Sequence, residues 1–116
     1  MNDANLFAAA FIEAALWADT PEGYEGDGLR IGLASGEAER MRAFATSFFA
    51  ANADDVCAYP EGVEQAGYEL WFTTAGHGVG YWEHSDTVSQ RLNDAAAKLR
   101  HDGTLYEGDD GLLYWG

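Results

Sequence analysis

Apolar residues recur every three or four positions in three segments of the chain, and this spacing predicts three helices. The first covers residues 5–19 and ends before Pro21, because a proline ring disfavours helical backbone in the residue that precedes it. The second begins at Ser35, a residue type suited to N-capping, and ends before Tyr59. The third begins at about Asp86 or Thr87.

This third helix is predicted to end at Arg100, with Gly103 as its C-cap. Thr87 and Gln90 have the spacing of a capping box, which supports a start at this point.

Two other segments alternate between apolar and polar residues with the period of a strand. Residues 68–72 and 79–83 flank a Gly-His-Gly sequence, and this pattern predicts a first β-hairpin. Residues 104–107 and 112–115 flank a Gly-Asp-Asp-Gly turn, and they predict a second hairpin with Gly111 in a left-handed conformation.

The resulting order ααββαββ predicts an α+β fold with one antiparallel sheet of about four strands and three helices packed mainly on one face. Residues 1–116 are predicted to form a single domain, because a chain of this length builds only one core. Hydrophobic residues make up 47% of the chain and aromatic residues 14%, which is enough to form that core. Residues 20–36 are rich in glycine and acid, and we expect a mobile acidic loop there.

The net charge of the chain excludes more classes of function than any sequence motif does. The chain has 20 acidic residues against six lysines and arginines, a formal net charge of −14. Such a field repels nucleic acid phosphates and anionic membranes and attracts basic proteins. We therefore expect no direct binding to nucleic acid or membrane. A GC-rich or halophilic genome would give the same charge without any partner, and this alternative stays open.

The number of cysteines and the N-terminal residues indicate the cellular compartment in which we expect the protein. Cys57 is the only cysteine, which excludes an intramolecular disulfide and favours a reducing environment. The N-terminus lacks the basic residues of a signal peptide, and no apolar run reaches the roughly 20 residues of a membrane span. We expect a cytoplasmic protein. The sequence leaves open whether it forms a homodimer.

The sequence predicts no enzyme, no cofactor and no metal site. His77, Glu83 and His84 could act as acid, base or ligands, but His77 is expected at the exposed tip of the first hairpin. A zinc site needs three or four well-placed ligands, and the adjacent Glu83 and His84 would face opposite sides of the predicted strand. Cys57 is interpreted as a small buried hydrophobic residue, not as a nucleophile.

Three blocks of the sequence resemble a family of small acidic phage and prophage proteins of unassigned function. Residues 70–83 are similar to its signature Phe-Trp-Leu-Thr-Arg-Asn-Gly-His-Gly-Ala-Gly-Phe-Trp-Asp, and residues 7–17 and 105–114 are similar to its opening and closing blocks. Thr74 and Ala75 stand where that signature has Arg-Asn, and His84 replaces an arginine, so this chain is more acidic than the pattern. The resemblance implies an origin in a virus or a mobile element, and it supplies no catalytic residues.

The leading hypothesis joins that implied origin to the charge. It is a phage-encoded inhibitor of a host defence complex, an anti-CRISPR or anti-restriction protein, that mimics nucleic acid and occupies a DNA-binding or RNA-binding surface. Its carboxylates would pair with lysines and arginines of a basic host protein, and aromatic residues would anchor the complex. The residues expected to bind the partner are Glu22, Glu25, Asp27, Glu37, Glu39, Asp54, Asp55, Trp71, Trp82, Glu83, Asp109 and Asp110.

Two other functions remain as alternatives. One is a phage accessory or regulatory protein that binds a host protein through an aromatic face, with the charge serving only solubility. The other is a small enzyme or ligand-binding domain centred on His77 and Glu83, which would need a concave pocket beside the hairpin.

Overall fold

The computed structural model describes residues 2–18, 33–75, 80–99 and 105–115. Within those ranges the chain is mostly helical, with one small sheet. The elements in chain order are α1 (Asp3–Ala18), α2 (Glu37–Ala51), α3 (Ala53–Cys57), α4 (Val63–Ala75), a short 3-10 helix (Tyr81–Glu83), α5 (Thr87–Ala97), β1 (Leu105–Glu107) and β2 (Leu113–Trp115).

The predicted α+β fold with a four-stranded sheet is wrong, because the first predicted hairpin is not formed. Residues 68–72 lie inside α4, and residues 81–83 form the 3-10 helix. Leu70 and its neighbour Trp71 are both fully buried, which a strand with one face on the core does not allow. Within the described residues the sheet has only the two strands β1 and β2.

The segment that forms helix α4 has apolar residues at helical spacing as well as the alternation that predicted a strand. Its buried residues recur at intervals of three and four, which places them on one helical face. That face packs against α1, and the Phe11 ring contacts the Trp71 ring edge to face with centroids 5.5 Å apart. The buried residues on this face are Ala66, Gly67, Leu70, Trp71 and Thr74.

Gly67 sets how closely α1 and α4 approach. A Cβ atom at this position would overlap the carbonyl oxygen of Phe7 and lie 2.9 Å from the Cβ of Ala10. Such contact distances do not occur between real side chains, so only glycine permits this packing.

The second predicted helix is divided in two. Helix α2 ends at Ala51, and the Asn52 side chain donates a hydrogen bond to the carbonyl oxygen of Phe48 at 3.0 Å. This bond satisfies a carbonyl at the end of the helix, and the chain turns before α3 begins. The N-cap of α2 is Gly36 with φ 88°, not the predicted Ser35, and no side chain caps this end.

The predicted start of the third helix is confirmed, although the capping residues differ. Asp86 is the N-cap of α5, and its carboxylate accepts a hydrogen bond from the backbone N–H of Ser89 at 2.9 Å. The Ser89 hydroxyl donates a second bond to the same carboxylate at 2.8 Å, in place of the predicted Thr87 and Gln90 pair. Helix α5 ends at Ala97, and the predicted C-terminal residues 100–103 lie outside the described residues.

The second predicted hairpin is confirmed. Leu105 pairs with Trp115 and Glu107 with Leu113 in antiparallel register, and Gly111 has the expected positive φ of 79°. The predicted acidic loop lies outside the described residues over positions 20–32. Its last part is described, and there Leu33 bridges Leu113 in parallel while the N–H of Ala34 donates to the Leu113 carbonyl at 2.8 Å.

None of the helices in the described ranges is long and apolar enough to cross a membrane.

Candidate docking surface

Exposed carboxylates occur on every helix longer than one turn and on the hairpin. Four of them lie in two pairs whose members come from different helices. Asp3 of α1 and Asp54 of α3 lie near the same thiol, and Glu13 of α1 and Glu64 of α4 lie near the same phenol. The exposed acids of the described residues are Asp3, Glu13, Glu39, Asp54, Glu61, Glu64, Glu83, Asp94, Glu107, Asp109 and Asp110.

Two of the predicted docking acids have cationic partners within the chain. The Arg91 guanidinium pairs with the Asp55 carboxylate at 2.6 Å, and this pair joins α5 to α3. The hydrogen bond from Arg91 holds the pKa of Asp55 below its usual value. Glu37 is buried and pairs with Arg40 at 2.7 Å, while its Oε1 accepts a hydrogen bond from the backbone N–H of Trp115 at 3.2 Å. Glu37 therefore fastens β2 to the first turn of α2.

The other predicted site residues divide between the surface and the core. Trp71 is fully buried, so it is part of the core and presents no ring to a partner in this structure. Trp82 is 54% exposed, as an anchor residue needs to be. Glu22, Glu25 and Asp27 lie outside the described residues. Glu39, Asp54, Glu83, Asp109 and Asp110 are exposed.

The hairpin carries exposed acidic residues beside two stacked tyrosine rings. The rings of Tyr106 and Tyr114 stack with centroids 5.6 Å apart, and Tyr106 is 51% exposed. The Asp110 carboxylate accepts hydrogen bonds from the Leu112 N–H at 3.0 Å and the Tyr114 hydroxyl at 2.7 Å. These bonds lower the pKa of Asp110, so its charge persists in mildly acidic solution.

The 3-10 helix and α5 together position Trp82 beside polar side chains. Trp82, Gln90, Asn93 and Asp94 line a cavity of about 160 Å³. The backbone N–H of Gly80 donates to the Glu83 carboxylate at 3.2 Å, which closes the turn that presents Trp82. Sequence reasoning identified Trp82 but missed the other three residues, although their spacing on the polar side of α5 was visible.

A buried polar cluster lies between α4 and the start of α5. Tyr59 donates a short hydrogen bond to the buried Glu69 carboxylate, whose other oxygen lies 3.2 Å from Nε2 of His84. The Tyr59 and His84 rings meet edge to face at 5.8 Å. Both carboxylate oxygens thus have partners inside the protein, and the cluster links three segments of the chain.

Of the residues in the enzyme alternative, Glu83 and His84 lie in the described part of the chain and make separate contacts. Glu83 is exposed and bonds to Gly80, whereas His84 points to Glu69. His77 lies outside the described residues. Within the described ranges no three His, Cys, Asp or Glu side chains converge as metal ligands would.

Cys57 is exposed, so the expectation that it is a buried hydrophobic residue is wrong. Its sulfur lies 3.8 Å from Oδ2 of Asp3. Local desolvation and the carboxylates of Asp3 and Asp54 raise the pKa of the thiol, which lowers its reactivity as a nucleophile.

Stability should fall in alkaline solution, because three tyrosines retain their protons in the folded state. Burial and a hydrogen bond to Glu13 raise the pKa of Tyr68 to about 12. Burial also raises the pKa of Tyr59, with a contribution from Glu69, and the pKa of the fully buried Tyr81. The unfolded chain releases these protons near pH 10, so the stabilisation is complete below about pH 10 and is lost as the pH rises above it.

Urea unfolding measured at steps between about pH 8 and pH 12 tests this expectation. Tyr68→Phe should lose less stability over that range than the parent protein. A free energy of unfolding that stays constant from about pH 9 to 11 would contradict the linkage.

Comparison of the chain with protein-family models, with curated proteins and with solved structures finds no significant match in any of the three.

Proposed function

We propose that this protein is a phage-encoded, non-enzymatic inhibitor of a host defence complex of the anti-CRISPR or anti-restriction type. It acts in the host cytoplasm as an acidic mimic of nucleic acid and occupies the DNA-binding or RNA-binding surface of a basic partner. The viral origin rests on the resemblance of three sequence blocks to the acidic phage family. The mode of action rests on charge and on the surface of the described residues.

The observation that supports this proposal most is the combination of exposed carboxylates with exposed aromatic rings. The carboxylates of Asp54, Glu64 and Asp109 face solvent on three different elements. Lysines and arginines that normally contact phosphates can form charge-assisted hydrogen bonds with such groups. Each exposed pair contributes only about 0–1 kcal/mol, so useful affinity requires several pairs together with aromatic anchors such as Trp82 and Tyr106.

Binding to the host partner should weaken steeply with salt and be reversed by nucleic acid. The experiment captures partners from host lysate at low and high salt and elutes them with duplex DNA or RNA. The affinity of the eluted complex is then measured against salt for the parent protein and for a variant with Glu39→Gln, Asp54→Asn, Glu64→Gln and Asp109→Asn. We expect the variant to bind at least about tenfold more weakly at low salt, because complementary charge raises association rates by 10-fold or more.

The matched control keeps every charge and changes only side-chain length, with Glu39→Asp, Asp54→Glu, Glu64→Asp and Asp109→Glu. It should bind nearly as well as the parent. A partner that stays bound in high salt, that nucleic acid does not displace and that binds the neutral variant equally well would refute the mimicry.

Exposed aromatic side chains support a second candidate function. Trp17, Trp82 and Tyr106 are all more than half exposed, and such rings are common anchors of protein interfaces. In this alternative the protein is a phage accessory or regulatory protein that binds a host protein through an aromatic face. The neutral variant would then bind normally, and Trp82→Ala would abolish binding.

A further inference from the structure

The cavity beside Trp82 has the composition of a site for a cationic side chain. Its lining consists of one indole ring, one carboxylate and two primary amides, from Trp82, Asp94, Gln90 and Asn93. The face of an indole ring carries negative electrostatic potential, and a carboxylate only accepts hydrogen bonds. The amide oxygens add two further acceptors. Every component of this lining can therefore interact favourably with a positively charged group that has several N–H donors.

Both walls of the cavity are fixed by contacts behind them. On one side, the N–H of Tyr81 donates to the Thr73 hydroxyl at 3.1 Å, and the buried Tyr81 hydroxyl donates to the Ala66 carbonyl at 2.6 Å. These bonds fasten the backbone next to Trp82 onto α4. On the other side, the capping bonds of Asp86 fix the start of α5. The backbone segments that carry the lining residues are therefore held in place before a ligand arrives, which reduces the cost of binding.

The charges near the cavity also favour a cation. Arg91, the arginine nearest in sequence to the lining of α5, is engaged with Asp55 on α3. Glu83, which follows Trp82, is exposed and adds a second carboxylate close by. The whole chain has a formal charge of −14, so an anionic ligand would be repelled from this site and a cationic one attracted.

We propose that this cavity binds the guanidinium group of an arginine side chain presented by the basic partner. A planar guanidinium can stack on the indole face of Trp82 while its N–H groups reach the Asp94 carboxylate and the amide oxygens. A lysine ammonium is compact and strongly hydrated, so it cannot stack on the ring and form several directed bonds at once. This inference rests on the proposed function, because it names the chemical group that the docking surface would recognise.

The test uses three small probes with the full chain: the blocked amides of arginine, citrulline and lysine. Citrulline has nearly the shape of arginine without its charge. NMR titration follows the indole N–H of Trp82 and the side-chain amides of Gln90 and Asn93. We expect saturable shifts with the arginine probe and no saturation with the citrulline probe, which lacks the charge. The lysine probe should bind about two- to fivefold more weakly, because an ammonium cannot combine stacking with several directed hydrogen bonds.

Substitutions in the lining test whether the arginine probe binds in this cavity. Asp94→Asn should weaken binding of the arginine probe about five- to tenfold, and Trp82→Ala should abolish the shifts of Gln90 and Asn93. Glu61→Gln removes one exposed carboxylate outside this lining and should leave the arginine titration unchanged. Equal binding of arginine and citrulline probes, or an equal loss with Glu61→Gln and Asp94→Asn, would overturn the proposal.

The same variants separate this inference from the proposed function. If the host partner is captured with the same salt dependence by the parent and by Trp82→Ala, the docking function stands and the arginine site is refuted. If the arginine probe binds as expected but no basic partner is displaced by nucleic acid, the site stands and the inhibitor function is refuted.

Discussion

Trp71→Ala is expected to lower the free energy of unfolding by about 3–5 kcal/mol, the usual cost of removing a large buried aromatic side chain. Trp71 is fully buried and its ring contacts Phe11 of α1. The substitution would leave a cavity between α1 and α4, which the surrounding helices could fill only in part. Because small domains have only about 5–15 kcal/mol of stability, the variant should be largely unfolded at moderate urea concentrations. Urea denaturation followed by circular dichroism measures the effect.

Trp82→Ala provides the matched control, since it removes the same side chain from the surface. Its effect on stability should stay within about 0.5 kcal/mol, as is usual for exposed positions. Comparable losses from the two substitutions would contradict the placement of Trp71 in the core and of Trp82 at the surface.

Gly67→Ala should destabilise the protein, although alanine normally favours a helix. In an exposed helix interior the change from glycine to alanine gains about 1 kcal/mol. At this position the new methyl group would overlap the Phe7 carbonyl oxygen, and α1 and α4 would have to move apart. Overpacking of this kind typically costs about 1–3 kcal/mol, and against the gain of about 1 kcal/mol from helix propensity we expect a net loss of stability of up to about 2 kcal/mol.

The control for this prediction lies on the exposed side of the same helix. Gln65→Gly should cost about 1 kcal/mol, because Gln65 is exposed within α4 and only helix propensity is affected. If Gly67→Ala instead stabilises the protein by the amount that propensity gives, the close packing of α1 on α4 is not present in solution.

The sequence predicted the elements whose signals are local. Helix α1, the start of α5 at Asp86 and the hairpin with Gly111 were all correct, because apolar spacing, an N-cap residue and turn glycines are encoded within a few residues. The hairpin assigned to residues 68–83 failed because two periods coexist in that segment. Tyr68, Leu70 and Phe72 alternate as in a strand, but burial of both Leu70 and Trp71 shows that contact with α1 selects the helical period.

Contacts between residues far apart in the chain were not predicted. Glu37 was predicted to bind a partner, and the structure shows that it is buried and accepts a hydrogen bond from the backbone of Trp115. Nothing local to Glu37 indicates that contact. The lining of the Trp82 cavity was incomplete for the same reason, since Asn93 and Asp94 gain meaning only when the 3-10 helix places Trp82 beside α5. The number of acidic residues therefore gives the total charge of the chain. It does not tell which carboxylates are exposed and free of cationic partners within the chain.

The backbone contacts of Leu33 and Ala34 with Leu113 should reduce the tendency of the protein to aggregate. Leu113 of β2 is paired with β1 on one side and with this preceding segment on the other, which leaves less of the strand open to pairing with a second molecule. Within the described residues β1 has three residues and includes the charged Glu107. Short, charged edges are poor templates for intermolecular pairing, which should protect the protein from forming amyloid-like assemblies when it is expressed at high concentration.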